Sequence, residues 1–260
     1  EAGADYIIVK CVDWKIILLE ILIARNQQYK GKLIAEVSSI EEAKTALKTL
    51  ELGVDGVLIK TFDPSKLEEA NKIVKSSESI IELKTAKVIS LKPLEIGARA
   101  CIDTCDIMKE GEGILVGSQS SGLFLVQAEV QVNPYVEPRP FRVNAGAISS
   151  YVLTPGNKTK YLSELKAGAE ILIVNREGKT RKTNVCRVKI EYRPLILVEA
   201  KYNNEVFKVV LQNAETIRLV TKDSSKSIAE LKPGDEVLIR FEKGGRHFGT
   251  LVEEETVIEK

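Results

Sequence analysis

The spacing of apolar residues changes once along the chain. Before about residue 86 they come in short runs separated by amphipathic stretches, and after it they alternate with polar residues. The runs at 6–9, 33–37, 56–59 and 80–83 predict strands, and the stretches at 15–28, 39–52 and 63–75 predict helices. Ser39, with Glu42 three residues on, forms a capping box, Gly53 stops that helix, and Asp63-Pro64 opens the next. Alternating βα units of this kind imply a parallel sheet with right-handed crossovers. The four strands end at Lys10, Glu36, Lys60 and Lys84, about one βα unit apart. All four charges are therefore expected at the carboxyl edge of the sheet, where such proteins place their ligands. Charge is also what any strand end carries where it meets solvent.

From Ala86 onward no helical stripe continues, and glycines (Gly97, Gly111, Gly113, Gly117) punctuate short alternating runs, so this half is read as all-β. It contains a repeat. YLSELKAGAEILIV (161–174) aligns without gaps on SIAELKPGDEVLIR (227–240), VNAGAI aligns on QNAETI, and DIMKEGEGILV (106–116) is a weaker third copy. The unit is a turn whose glycine (Gly168, Gly234) takes a positive φ and feeds a buried strand. The expected fold is α+β or α/β. A partial βα-unit domain (1–86), sheet-like or barrel-like, precedes a β-rich domain (87–260) of duplicated small barrels or sandwich modules (141–206 and 210–260). A residue shared by both copies is expected to be scaffold, which favours Tyr161 as functional over Glu164 and Lys160.

Composition narrows the function classes. Lys+Arg 38 against Asp+Glu 37 leaves no basic excess for nucleic acid, and 5% aromatic residues give little stacking surface. No apolar run is long enough to span a bilayer and no signal peptide is visible, so the default location is the cytoplasm. Four cysteines without framework spacing and a single histidine predict neither disulfides nor a zinc site. Oligomeric state is left open.

Polar chemistry concentrates in RPFRVNAGAISSYVLTPGNKTKYLSELKAG (139–168). Arg139 and Arg142 suit bidentate grip on a carboxylate, although three residues apart on a strand they face opposite ways, which favours Arg142. Asn144-Ala145-Gly146 reads as a turn. Lys158 and Lys160 suit a Schiff base or a keto-acid carboxylate. His247, in GGRHFG, suits a general base or a structural imidazole. Cys101, Asp103 and Cys105 alternate and should face one side, as small buried thiols around a bonded aspartate. Trp14, beside Asp13, either stacks on a flat ligand or packs on the sheet. No GxGxxG follows a strand and opens a helix.

RPFRVNAG, GNKTKYLSELKAG and RVKIEYRPLILVEAK, with CIDTCDIMKEGEGILVGSQSSGLFLVQAE upstream and LQNAETIRLV and GGRHFG downstream, resemble the type II 3-dehydroquinate synthase family. The resemblance covers about residues 13–260 and implies a fragment lacking the family's amino-terminal part. It implies an NAD-dependent enzyme that oxidatively deaminates 2-amino-3,7-dideoxy-D-threo-hept-6-ulosonate and cyclises the product to 3-dehydroquinate. With it, Lys160, Tyr161 and His247 become the catalytic candidates, and Arg139, Arg142, Asn144, Lys60 and Lys84 the candidates for binding a keto or amino sugar acid. The chain departs from the family at Lys10 (usually acidic), Leu18, Ile21, Gln127, Ala147 and Ser149; histidine is usual at Ser149 and common at Gln127. Two rivals remain: a class I aldolase-like enzyme using Lys60 or Lys84, and a non-catalytic β-module scaffold.

Overall fold

The three apolar runs of the first unit form parallel strands β1 (Tyr6–Lys10), β2 (Lys32–Val37) and β3 (Gly56–Ile59), in the order β1-β2-β3. A computed structural model describes residues 4–10, 16–29, 31–49, 53–61, 63–65, 67, 80–134, 136–243, 245–247 and 249–252. They fall into two compact units, Glu1–Ser77 and Glu78–Lys260. Because β2 is central, Leu33, Ala35 and Val37 are buried, together with Leu19 and Ile23 of α1 (Ile16–Asn26) and Ala43 and Ala46 of α2 (Ile40–Lys48). Helix α2 begins as its sequence dictates. Ser39 Oγ accepts from the Glu42 amide at 3.1 Å, and Glu42 Oε2 accepts from the Ser38 amide at 2.7 Å. It ends at Lys48 with Thr49 as its cap, four residues before Leu52, and Gly53 follows at φ +65. The helix predicted at 63–75 lies largely outside the described residues.

The fourth parallel strand does not form. Ile80 makes one antiparallel bridge, to Lys179, and Lys84 opens a 21-residue strand of the second unit, β4 (Lys84–Thr104). The run leads without a break into the alternating segment behind it, whose pairing with β11 is antiparallel. Lys84 is thus not a strand end, as expected from the sequence, but a strand start.

The second unit continues with β5 (Gly113–Gln119), β6 (Gly122–Gln127), β7 (Arg142–Ala147), β8 (Tyr151–Thr154), β9 (Lys158–Tyr161), a 3-10 turn (Leu162–Glu164) and β10 (Glu170–Val174). Then come β11 (Thr180–Tyr202), β12 (Glu205–Gln212), β13 (Arg218–Val220), β14 (Ser225–Ser227), β15 (Glu236–Phe241), β16 (Gly245–His247) and β17 (Thr250–Val252). Twelve strands join one antiparallel sheet in the order β14-β13-β6-β15-β4-β11-β10-β5-β8-β9, with β7 on β4 and β12 on β11. This order is a palindrome about the β4–β11 pair. The matching turns obey the same two-fold. Gly168 donates to Val185 O and the Val185 amide to Ala169 O, while Gly234 donates to Val88 O and the Val88 amide to Asp235 O, each at 2.8 Å. Leu165 and Leu231, three residues before these glycines, are both buried in the one large core, with Phe124 and Phe207. At the third turn the Ala128 amide donates to Glu112 O, but Gly111 donates to the Gln127 side-chain oxygen at 2.9 Å instead of a carbonyl. Gln127 therefore stands in for backbone.

Candidate functional site

Asn144-Ala145-Gly146 is not a turn. It is a bulge in β7, where Cys101 pairs with Asn144 and Ala100 with Gly146, leaving Ala145 over. Gly146 sits at φ +97, and a Cβ there would lie 2.2 Å from Val210 O. Gly146→Ala should therefore destabilise the second unit by about 2–4 kcal/mol in urea unfolding, through strain and overlap together. Unchanged stability would remove the bulge as a constraint.

The bulge sets one face of the β11-β4-β7 region. Arg187, Lys189, Glu191 and Arg193 take alternate positions on β11, opposite Asp103, Cys101, Arg99 and Gly97 of β4. Arg142 and Asn144 of β7 lie opposite Asp103 and Cys101 on the other side of β4. Arg142 Nε and Nη2 donate to Asp103 Oδ1 and Oδ2 at 2.6 and 2.9 Å, and Arg187 Nε and Nη2 donate to Oδ2 at 2.9 and 2.6 Å. Arg99 Nε donates to Gln212 Oε1 at 2.6 Å, its Nη1 lies 2.8 Å from Cys101 Sγ, and its Nη2 lies 3.1 Å from Glu191. Glu191 also takes Lys189 at 3.2 Å and Arg193 at 2.9 Å. Asn144 Nδ2 shares Gln212 Oε1 at 2.9 Å, and its Oδ1 is buried without a hydrogen-bond partner.

Two carboxylates thus serve five cations. Asp103 is pushed up by burial, but the hydrogen bonds from Arg142 and Arg187 outweigh that and hold it below the usual range. Lys189, desolvation aside, is the main reason Glu191 is held low, with Arg193 and Arg99 adding to it. Burial drives the Cys101 thiol up to about 11, which makes it an unreactive neighbour of Arg99. Arg99, Asp103, Arg142 and Asn144 form the buried floor, while the side chains of Arg187, Lys189 and Arg193 are 60%, 46% and 43% exposed at the rim. Surplus positive charge over a floor whose own charges are paired is an arrangement that takes a carboxylate.

The expected anchor Arg142 is part of the floor, since Asp103 occupies its fork. Arg142 belongs to a buried ion pair. Arg139 lies with Nε 2.8 Å from Glu129 Oε2, whose carboxyl burial pushes up despite that arginine. Cys101 and Asp103 are buried as expected, and Cys105 is exposed. Lys60 and Lys10 both bind Glu36, at 3.3 and 3.2 Å, across the carboxyl ends of β1, β2 and β3. Lys84 binds Glu82, and that hydrogen bond raises its pKa, the opposite of what a Schiff-base nucleophile needs. Lys160 and Tyr161 are neighbours on β9, so strand geometry divides them between two faces. Tyr161 stacks on Tyr151 with ring centroids 4.7 Å apart and hydroxyls at 3.0 Å. The Thr159 amide donates to Gly249 O at 2.9 Å, which ties β9 to the β16–β17 hairpin carrying His247. The imidazole itself, like Asp13 and Trp14, lies outside what the structure describes.

Sequence reasoning missed Arg99, Gln212 and the rim. The rim had a readable signal, because RVKIEYR places Arg187, Lys189, Glu191 and Arg193 at period two. For a dinucleotide, one described turn between a parallel strand and its helix is Val37–Ile40, and there Glu42 and Ser39 already occupy the Ser38 and Glu42 amides, with Glu41 and Glu42 adding negative charge. That helix start does not fit a pyrophosphate.

Two family models match the chain in order: the 3-dehydroquinate synthase II N-terminal domain over residues 1–74 and the C-terminal domain over 85–260. Curated 3-dehydroquinate synthases of Methanothrix thermoacetophila and Methanocaldococcus jannaschii are 53% and 51% identical to it over 258 residues, covering 98% of this chain and 71% of each relative. That of Methanosarcina acetivorans is 52% identical over 98% of this chain and 67% of its own length. No solved structure matches the chain.

Proposed function

Because the chain belongs to the 3-dehydroquinate synthase II family, we propose that it is an enzyme of aromatic biosynthesis forming 3-dehydroquinate by oxidative deamination and cyclisation of 2-amino-3,7-dideoxy-D-threo-hept-6-ulosonate. The observation that carries this reading is the match of both family domains, in order, on one chain. NAD enters the proposal as the hydride acceptor that the resemblance implies, with its seat elsewhere than at the start of α2.

The chain's own part is derived from the charged face. The substrate is a carboxylate, and the Lys189–Arg193 rim meets it without stripping the floor of its partners. Arg142 and Asp103 hold the β7 bulge and Arg187 in place, as positioning residues. Tyr161, paired with Tyr151, and the hairpin bearing His247 are the remaining candidates for proton transfer.

The test is to incubate the chain with the amino-heptulosonate and NAD and to identify the product by mass spectrometry, with borohydride added to a parallel sample. We expect 3-dehydroquinate and no reduced lysine adduct on the chain. An adduct at Lys60 or Lys84 would replace the proposal with aldolase-like chemistry.

A further inference from the structure

The sequence reading expected no disulfide, yet the fold brings two exposed thiols together. Cys105 follows the last residue of β4, and its amide donates to Asn184 O at 2.9 Å. Cys186 is the extra residue of β11 where the register against β4 slips between Val185 and Arg187. Thr104 pairs with Val185 and Arg187 with Asp103, so the strand end carrying Cys105 and the bulge carrying Cys186 lie side by side across the β4–β11 pair. Cys101, the other described cysteine of this strand, is buried beside Arg99 and takes no part.

We propose that Cys105 and Cys186 form a reversible disulfide site, oxidised by a low-molecular-weight disulfide. One thiol loses its proton and attacks the reagent RSSR, giving a mixed disulfide and releasing one RS⁻, which takes up a proton. The second thiol loses its proton and displaces the other RS⁻. Overall, two S–H bonds are lost, one S–S bond forms, and two RSH molecules leave, so the protein is oxidised by two electrons and the reagent reduced by two. The bond fixes the bulge from which Arg187 reaches Asp103, and so couples thiol state to the charged face. It does not depend on which reaction that face serves.

The whole chain is treated with glutathione disulfide at pH 8, remaining thiols are blocked with N-ethylmaleimide, and peptides are mapped by mass spectrometry. The expected product is a Cys105–Cys186 linked peptide, at least about tenfold more abundant than glutathione adducts at either position and reversed by dithiothreitol. In Cys105→Ser, Cys186 should instead carry glutathione. Adducts at both positions without the link would overturn the proposal. So would both cysteines recovered as maleimide derivatives, or a link to Cys11, to Cys101 or between chains.

Discussion

Asp103→Asn should destabilise the second unit by about 3–5 kcal/mol, the range for removing one partner of a buried ion pair. The aspartate side chain is 4% exposed and Arg142 is 7% exposed, so a neutral amide would leave a buried guanidinium without a counter-ion. It would also release Arg187, which relies on the same carboxylate. Urea unfolding measures the loss, and the double variant Asp103→Leu/Arg142→Met should lose clearly less than the two single variants added together. A loss below about 1 kcal/mol for Asp103→Asn would mean that the floor is not a structural element. The pH dependence follows with a definite sign. The folded Asp103 titrates below its ordinary value, so its contribution is fully present above the unfolded carboxylate range of about pH 4 and is lost as pH falls through the lower folded value. The wild-type chain should therefore lose stability on acidification more steeply than Asp103→Asn, and parallel curves would contradict this assignment.

Reversing the rim should act on substrate and not on stability. Lys189→Glu or Arg193→Glu places an anion where the face now carries surplus positive charge, yet at the rim Lys189 is paired with Glu191, and Arg193 with Glu191 and the neighbouring Tyr192 carbonyl. Each should lower kcat/KM by on the order of 100-fold, mostly through KM, and the loss should shrink as salt is raised. The melting temperature should stay nearly where it is. Comparable losses of activity and stability would instead place these lysine and arginine side chains in the scaffold.

Local chemistry explains which parts of this molecule could be read in advance. The cap of α2 needs only Ser39 and Glu42, and parallel strands announce themselves as mostly apolar runs, so 33–37 and 56–59 were legible. Residues 80–83 were not, because a short run such as Ile80-Ile81-Glu82-Leu83 looks the same in a parallel strand and ahead of an antiparallel one. Asn144-Ala145-Gly146 has the composition of a turn, and the positive φ it advertises is real, but β4 pairing uses it for a bulge. Pairings across the chain were out of reach altogether. Arg99 meets Gln212 113 residues on, and Arg187 meets Asp103 across 84, distances over which no local pattern carries information. The same holds for Cys105 and Cys186. Arg142 was located as an important cation, while its partner, and with it its role, was decided by the register of β4.

The measurement that bears most directly on the central claim follows the reduced-nicotinamide absorbance band while the wild-type chain and Lys189→Glu are each mixed with NAD and the amino-heptulosonate. The account predicts that the wild-type chain produces reduced nicotinamide and 3-dehydroquinate in equal amounts, and that the variant, equally stable, does so only at much higher substrate concentration. Equal rates from both proteins would remove the charged face from substrate binding, and no reduced nicotinamide from the wild-type chain would contradict the proposed reaction.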